Sequence, residues 1–232
     1  ITDYNGKKLM IVTYLEGKAK KILTPQNCKS VGIEVAKIHE ITKSFKIKRK
    51  NDLSIDSWRK LFNSVKTECS KIHQDLPKLI ESNLNDVEKN WPNNLPKGII
   101  HADLFNDNIF FNNNEFSGII DFYFSCEDFY AFEIAICFNA LCFDGVPKNL
   151  SFNVTKAKKF IDGYNSIRKL TDDEKGNIKV LSQGAALRFL LTRVFDALNT
   201  VDGAIVKVKD PMEYLKRLEF HKNSKNFEDY FF

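Results

Sequence analysis

Glycine is sparse and scattered, with 10 among 232 residues and no cluster of them. A glycine-rich loop, whose backbone N–H groups close around nucleotide phosphates, is therefore missing from these residues. No apolar run approaches the roughly 18 residues of a membrane-spanning helix. The longest candidate, AFEIAICFNALCF, is broken by Glu133 and Asn139 and reads as a buried helix, so no membrane partner is expected. No signal peptide, internal repeat or low-complexity tract is visible. The five cysteines, Cys28, Cys69, Cys126, Cys137 and Cys142, are odd in number and include no CxxC pair. They read as reduced core residues of a cytoplasmic protein, not as a disulfide framework or a zinc site. The net charge of +5 is spread over lysines with no dense Arg/Lys stripe, which speaks against a nucleic-acid partner. A basic rim around an anionic nucleotide accounts for the excess as well. With 43% hydrophobic and 28% charged residues, the chain can bury a sizeable core.

What the chain does contain is GIIHADLFNDNIFFNNNEFSGIIDFYF, residues 98–124. Ile99 and Ile100 form a short apolar strand that runs into His101-Ala102-Asp103, with Asn108 five positions after Asp103. Two β-rich runs, Ile109–Phe111 and Phe116–Ile120, flank the turn-forming Asn112-Asn113-Asn114, and the second ends on Asp121. This pattern predicts a hairpin that sets Asp103, Asn108 and Asp121 at the mouths of neighbouring strands. Phosphoryl transfer asks for such a set. One carboxylate orients the attacking hydroxyl and takes its proton, while an amide oxygen and a second carboxylate hold Mg²⁺ on the nucleotide phosphates. Asp103 is the candidate base, and Asn108 and Asp121 are the candidate metal and nucleotide ligands.

The same residues resemble a known pattern. His101-Ala102-Asp103, then Asn108, then Asp121-Phe122 across a hairpin, is similar to the protein-kinase sequence H-R-D-x-x-x-x-N followed by D-F-G. Alanine in place of the arginine resembles the small-molecule branch, the aminoglycoside and choline kinase-like enzymes. DFYFSCEDFYAFEIAICFNALCF, ALRFLLTRVFDALNT and KDPMEYLKRLEFH narrow the resemblance to type II homoserine kinases, over most of residues 8–222. It implies an α+β, protein-kinase-like fold of the aminoglycoside phosphotransferase type. Residues 1–18 are then a remnant of the N-lobe sheet and the hinge, and residues 19–232 a mainly helical C-lobe. It further implies ATP and Mg²⁺ as cofactors and L-homoserine as acceptor. The hinge backbone near Thr13, Tyr14 and Leu15 meets the adenine, His101 shapes the loop, and Glu133 braces it. The phosphate loop, strand lysine and helix glutamate of a kinase N-lobe do not precede Leu9–Leu15. With Ile1 as the first residue, the expectation is the C-terminal portion of a longer gene product, or a degraded remnant of one.

An amino-acid acceptor needs a carboxylate for its ammonium and a guanidinium for its carboxylate. Glu127, Asp128 and Glu133 are the acidic candidates, Asp128 and Tyr123 the nearby pocket residues, and charge at a helix N-terminus is the alternative reading. Arg188, ahead of Arg193, is the candidate for the substrate carboxylate, with an ion pair to Asp196 or Glu133 as the alternative. Two other classes of function stay open: a kinase for another small alcohol, such as choline or an aminoglycoside, and a non-catalytic remnant. Phe122, Tyr123, Phe124 and Phe129 could cage a choline-like ammonium, an aminoglycoside kinase would want an acidic groove, and a non-catalytic remnant would merely fold or bind.

The remaining pattern predicts a strand over Leu9–Leu15 after an Asn5-Gly6 turn. A helix follows from Thr24-Pro25 to about Ile41, with His39 packed beside its apolar stripe. Asp56 caps a second helix carrying Trp58 to Ile72, and a third ends at Trp91-Pro92. Residues 155–168 and 183–198 read as helices, with a Thr171/Glu174 capping box between them. Asp210-Pro211 opens the last helix, and the tail SKNFEDYFF is expected to fray.

Overall fold

The apolar stretch from Ile178 to Val194 decides the architecture, because a helix apolar all round must be covered on every side. We analysed a computed structural model, which describes residues 2–147, 149–200 and 208–231. The chain opens with β1 (Thr2–Tyr4), β2 (Lys7–Leu9), β3 (Lys18–Ala19), α1 (Pro25–Ile41), α2 (Ile55–Val65) and α3 (Leu76–Asn90). There follow β4 (Lys97–Ile100), β5 (Ile109–Asn112), β6 (Glu115–Ile119), β7 (Cys126–Phe129) and α4 (Tyr130–Leu141). It closes with β8 (Phe143–Val146), β9 (Asn149–Phe152), α5 (Val154–Asn165), α6 (Asp172–Leu198) and α7 (Met212–Asn223). The central helix is α6, packed by α2, α3, α4 and α7, while α1 and α5 pair on the flank. That pairing is close: a Cβ on Gly32 would lie 2.1 Å from the Phe160 carbonyl oxygen, and one on Gly163 2.1 Å from that of Lys29.

The local signals behave as sequence chemistry dictates. Thr24 accepts from Asn27 N–H in a capping box with Pro25 in the first turn, and Thr171 and Glu174 cap α6 reciprocally. The capping box thus opens the same helix that carries Arg188, so residues 172–198 are one element. Ser54, not Asp56, is the N-cap of α2, and Cys69 falls in a separate 3₁₀ turn after it. Among the described residues the tail does not fray. Tyr230 is fully buried, bonded to His221 Nδ1 at 3.1 Å and stacked on Phe138.

The strands differ most from expectation. Only Lys7–Leu9 pairs, with Thr2–Tyr4, and Met10, Ile11, Val12 and Tyr14 are exposed. The predicted strand Leu9–Leu15 lacks a partner edge, and apolar, β-prone residues do not make a strand without one. The hairpin β5–β6 forms as read, turning through Asn113 and Asn114 at φ 47° and 72°. Its outer neighbour is β3, however, while β4 pairs with β7. The strand before Asp103 and the hairpin before Asp121 therefore belong to different sheets. A β8–β9 hairpin, with Gly145 (φ 104°) inside its first strand and paired with Leu150, was not anticipated from the sequence.

Candidate active site

Three short connections bring the polar residues together. After β4 the chain turns through His101, Ala102 and Asp103. A 3₁₀ turn (Asn106–Asn108) leads into β5, and β6 runs out at Ile120-Asp121. The two segments are stitched through His101. Its Nδ1 accepts from Asp103 N–H at 3.2 Å, which leaves Nε2–H to donate to the Ile120 carbonyl at 2.9 Å. Both ring nitrogens are spent on backbone, which fits an architectural histidine and not a base. Asn108 makes a second stitch. Its Nδ2 donates to the Asp103 carbonyl at 2.8 Å, and its own carbonyl accepts from Ile120 N–H at 3.0 Å. With the amide nitrogen so engaged, the amide oxygen is the end left for a ligand.

Asp103, Asn108 and Asp121 line one cavity of about 610 Å³, together with Asp107, Arg188, Thr192, Arg193, Asp196, Asn199 and Lys209. Burial raises the Asp103 carboxyl above its usual range, opposed by the positive charge of Arg188. Asp121 is exposed and takes a left-handed backbone (φ 62°). Asp107 faces Lys209 at 3.7 Å. Asn108 and Asp121 offer oxygen donors only, which suits a hard cation such as Mg²⁺ and not zinc or copper.

Glu133, buried on α4, accepts from His101 N–H and, at 3.1 Å, from Ala102 N–H. Burial pushes its carboxyl up, and these donors work against the shift. Arg188 is 2% exposed and donates from Nη1 to the Ala102 carbonyl, while its Nε has no hydrogen-bond partner. Arg193 is tied to Glu213 at 2.9 Å and to the Asp210 carbonyl at 2.8 Å. Of the two arginines it is the one already neutralised.

The other candidates lie elsewhere. Asp128 accepts from Asn51 Nδ2 at 2.6 Å and from Phe129 N–H, and borders a separate, smaller cavity with Lys50 and Asn51. Tyr123 is exposed, its carbonyl held by Arg49. Glu127 pairs with Lys48. Tyr14 borders a shallow recess with Gly17 and Phe111, and Leu15 packs on Gly118 of β6. Thr13, Tyr14 and Leu15 do not line the Asp103 cavity. Thr192, Asp196, Asn199 and Thr200 do, and the sequence reading did not single them out as a site. Thr192 and Asp196 follow Arg188 at steps of four along α6, with Asn199 and Thr200 just past its end, and that spacing was the signal available.

Residues 2–163 match the model of a family described as "Phosphotransferase enzyme family". A homoserine kinase of Mesorhizobium japonicum is 44% identical over 225 residues, covering 97% of this chain and 69% of that protein. One of Bradyrhizobium diazoefficiens is 42% identical over 231 residues, covering 99% and 70%. Among solved structures, an aminoglycoside phosphotransferase from Alicyclobacillus acidocaldarius superposes with a TM-score of 0.63 at 11% identity, over 90% of this chain and 67% of that one. An amicoumacin kinase solved with AMP-PNP and Ca²⁺ gives 0.58 at 10% identity, over 93% and 64%. The chain thus spans about two thirds of the length of these relatives.

Proposed function

We propose, from the premise that the chain belongs to the phosphotransferase enzyme family and to its homoserine kinase group, that it transfers the γ-phosphoryl group of ATP to the side-chain hydroxyl of L-homoserine. The observation that carries this reading is the convergence of Asp103, Asn108 and Asp121 on one cavity. The Asp103 carboxylate accepts the hydroxyl proton as the hydroxyl oxygen bonds to the γ-phosphorus. The bond from that phosphorus to the β–γ bridging oxygen breaks, leaving ADP and O-phosphohomoserine. Asn108 through its amide oxygen and Asp121 through its carboxylate would hold Mg²⁺, which would neutralise charge on the phosphates. The adenine meets the backbone at Thr13, Tyr14 and Leu15, on the strand-and-hinge side formed by residues 1–18, and the helical lobe of residues 19–232 carries the chemistry. Since the acceptor is a weak nucleophile, orientation and fixed dipoles supply most of the rate.

The acceptor's charged end is met from α6. Arg188, on the cavity wall, meets the substrate carboxylate, and Asp196, on the same wall, pairs with the ammonium. Asp128, committed to Asn51, is not needed for this. The reaction belongs in the cytoplasm, where buried, unpaired cysteines stay reduced and ATP is available. Among the described residues no helix is long and apolar enough to cross a membrane.

The test is a competition. An equimolar mixture of homoserine, choline and kanamycin is offered with Mg·ATP labelled in the γ-position. Label on homoserine alone is expected. Label on choline or kanamycin in preference would replace the acceptor, and no label on any of them would remove the catalytic reading.

A further inference from the structure

Ala102 adopts a left-handed backbone (φ 65°) immediately before Asp103. For a residue with a Cβ this conformation costs on the order of 1 kcal/mol and persists only where the surroundings over-determine it. The surroundings here are two buried charges of opposite sign. From α4, Glu133 takes the N–H groups of both His101 and Ala102. From α6, Arg188 donates to the Ala102 carbonyl. The peptide groups on either side of the Ala102 Cα are thus each fixed by a charge-assisted hydrogen bond, the stronger kind. The next atoms along the chain are those of Asp103, whose N–H and C=O are held in turn by His101 and Asn108. A guanidinium with its Nη1 on a catalytic-loop carbonyl, 2% exposed, is placed to do more than greet a substrate.

We propose that Arg188 is a positioning residue: with Glu133 it clamps Ala102 from both sides and so sets the direction in which Asp103 points. The clamp rests on the phosphotransferase reading for what Asp103 does, and on geometry alone for how the loop is held. A substrate contact and a clamp make different demands. Removing a contact used equally in ground and transition states raises KM and leaves kcat alone. Misaiming a base by about 1 Å costs on the order of 10²-fold in kcat. Arg188 lines the cavity that receives the acceptor, and its Nη1 serves the loop.

The experiment compares the full chain with Arg188→Met and Arg188→Lys by two readouts. The first is residue-resolved amide hydrogen exchange, which needs no turnover. In Arg188→Met the amides of His101, Ala102 and Asp103 should exchange at least tenfold faster, while those of Ile178 and Leu181, deep in α6, stay as in the parent. Arg188→Lys, which keeps a donor and the charge but not the planar fork, should fall between. The second readout is steady-state transfer to homoserine. The clamp predicts a kcat loss on the order of 10²-fold for Arg188→Met, partly rescued by Lys. Unchanged exchange at His101–Asp103 overturns the clamp, as does a raised KM for homoserine at parental kcat. If Arg188→Met fails to fold, Arg188→Lys decides by the same criteria. Silence of all three chains in the transfer assay would count against the proposed function, and the exchange comparison would still decide the clamp.

Discussion

Two regions of this molecule bury charge, and they do it differently. At the junction of α1, α5 and α6, Arg168 spends its guanidinium on Glu174 at 2.9 Å and Tyr164 Oη at 3.1 Å, and lies over the Tyr130 ring. The Tyr164 hydroxyl in turn donates to His39 Nδ1 at 2.8 Å. At the catalytic loop, Arg188 and Glu133 hold backbone, and each keeps an atom without a partner, Nε in one and Oε1 in the other. The first cluster pairs its charges with one another and locks three helices. The second holds the backbone of a loop that borders a cavity. Buried charge alone, then, does not mark a functional site; buried charge spent on the backbone beside a polar cavity is the better marker.

The comparison predicts separable effects. Asp103→Asn should lower kcat by about 10²–10⁴-fold while leaving the thermal midpoint and ATP affinity near those of the parent. Turnover at the parental rate would break the assignment of the base. Arg168→Met should do the reverse, costing about 3–5 kcal/mol in urea unfolding by stranding buried Glu174, with kcat per folded molecule unchanged. A catalytic defect without destabilisation would show that the two clusters are not distinct.

A third prediction concerns pH. Burial and the Arg168 charge lower the His39 imidazole to about 3, and burial lowers His221 to about 3. Each folded histidine resists a proton that the unfolded chain accepts below about 6.5, so the unfolded state binds more protons in that window. Stability should therefore be full above pH 6.5 and fall progressively toward pH 3. Replacing His39 by Gln should flatten the slope of unfolding free energy against pH, and an unchanged slope would exclude His39 as a source. The smallest contrast is between Asp196→Asn, expected to raise KM for homoserine several-fold, and Asp128→Asn, expected to leave it unaltered. Equal KM values for the two variants would remove Asp196 from the acceptor site.

The hairpin between Asp103 and Asp121 was legible because each piece of it is locally determined. The Asn113-Asn114 turn and the two β-rich runs point to the same hairpin. The N-terminal run of residues 10–14 was misread for the opposite reason. Its composition is that of a strand, but strand formation depends on an edge that composition does not supply, and Ile11 is 91% exposed. The partners of β4 and of the hairpin were likewise invisible, since pairing across separate sheets is a long-range choice. Arg188 stood out from sequence as a charge inside an apolar helix, yet its contact with Ala102 spans 86 positions and could not be read from either end. Asp128 looked suitable by type and proximity, and only the fold shows its carboxylate given to Asn51, 77 positions away.

The measurement that tests the account most directly is ³¹P NMR of this chain mixed with Mg·ATP and L-homoserine. A phosphomonoester resonance should grow in step with ADP and be absent with Asp103→Asn. Hydrolysis to inorganic phosphate alone, or product formed equally by the Asp103→Asn variant, would contradict it.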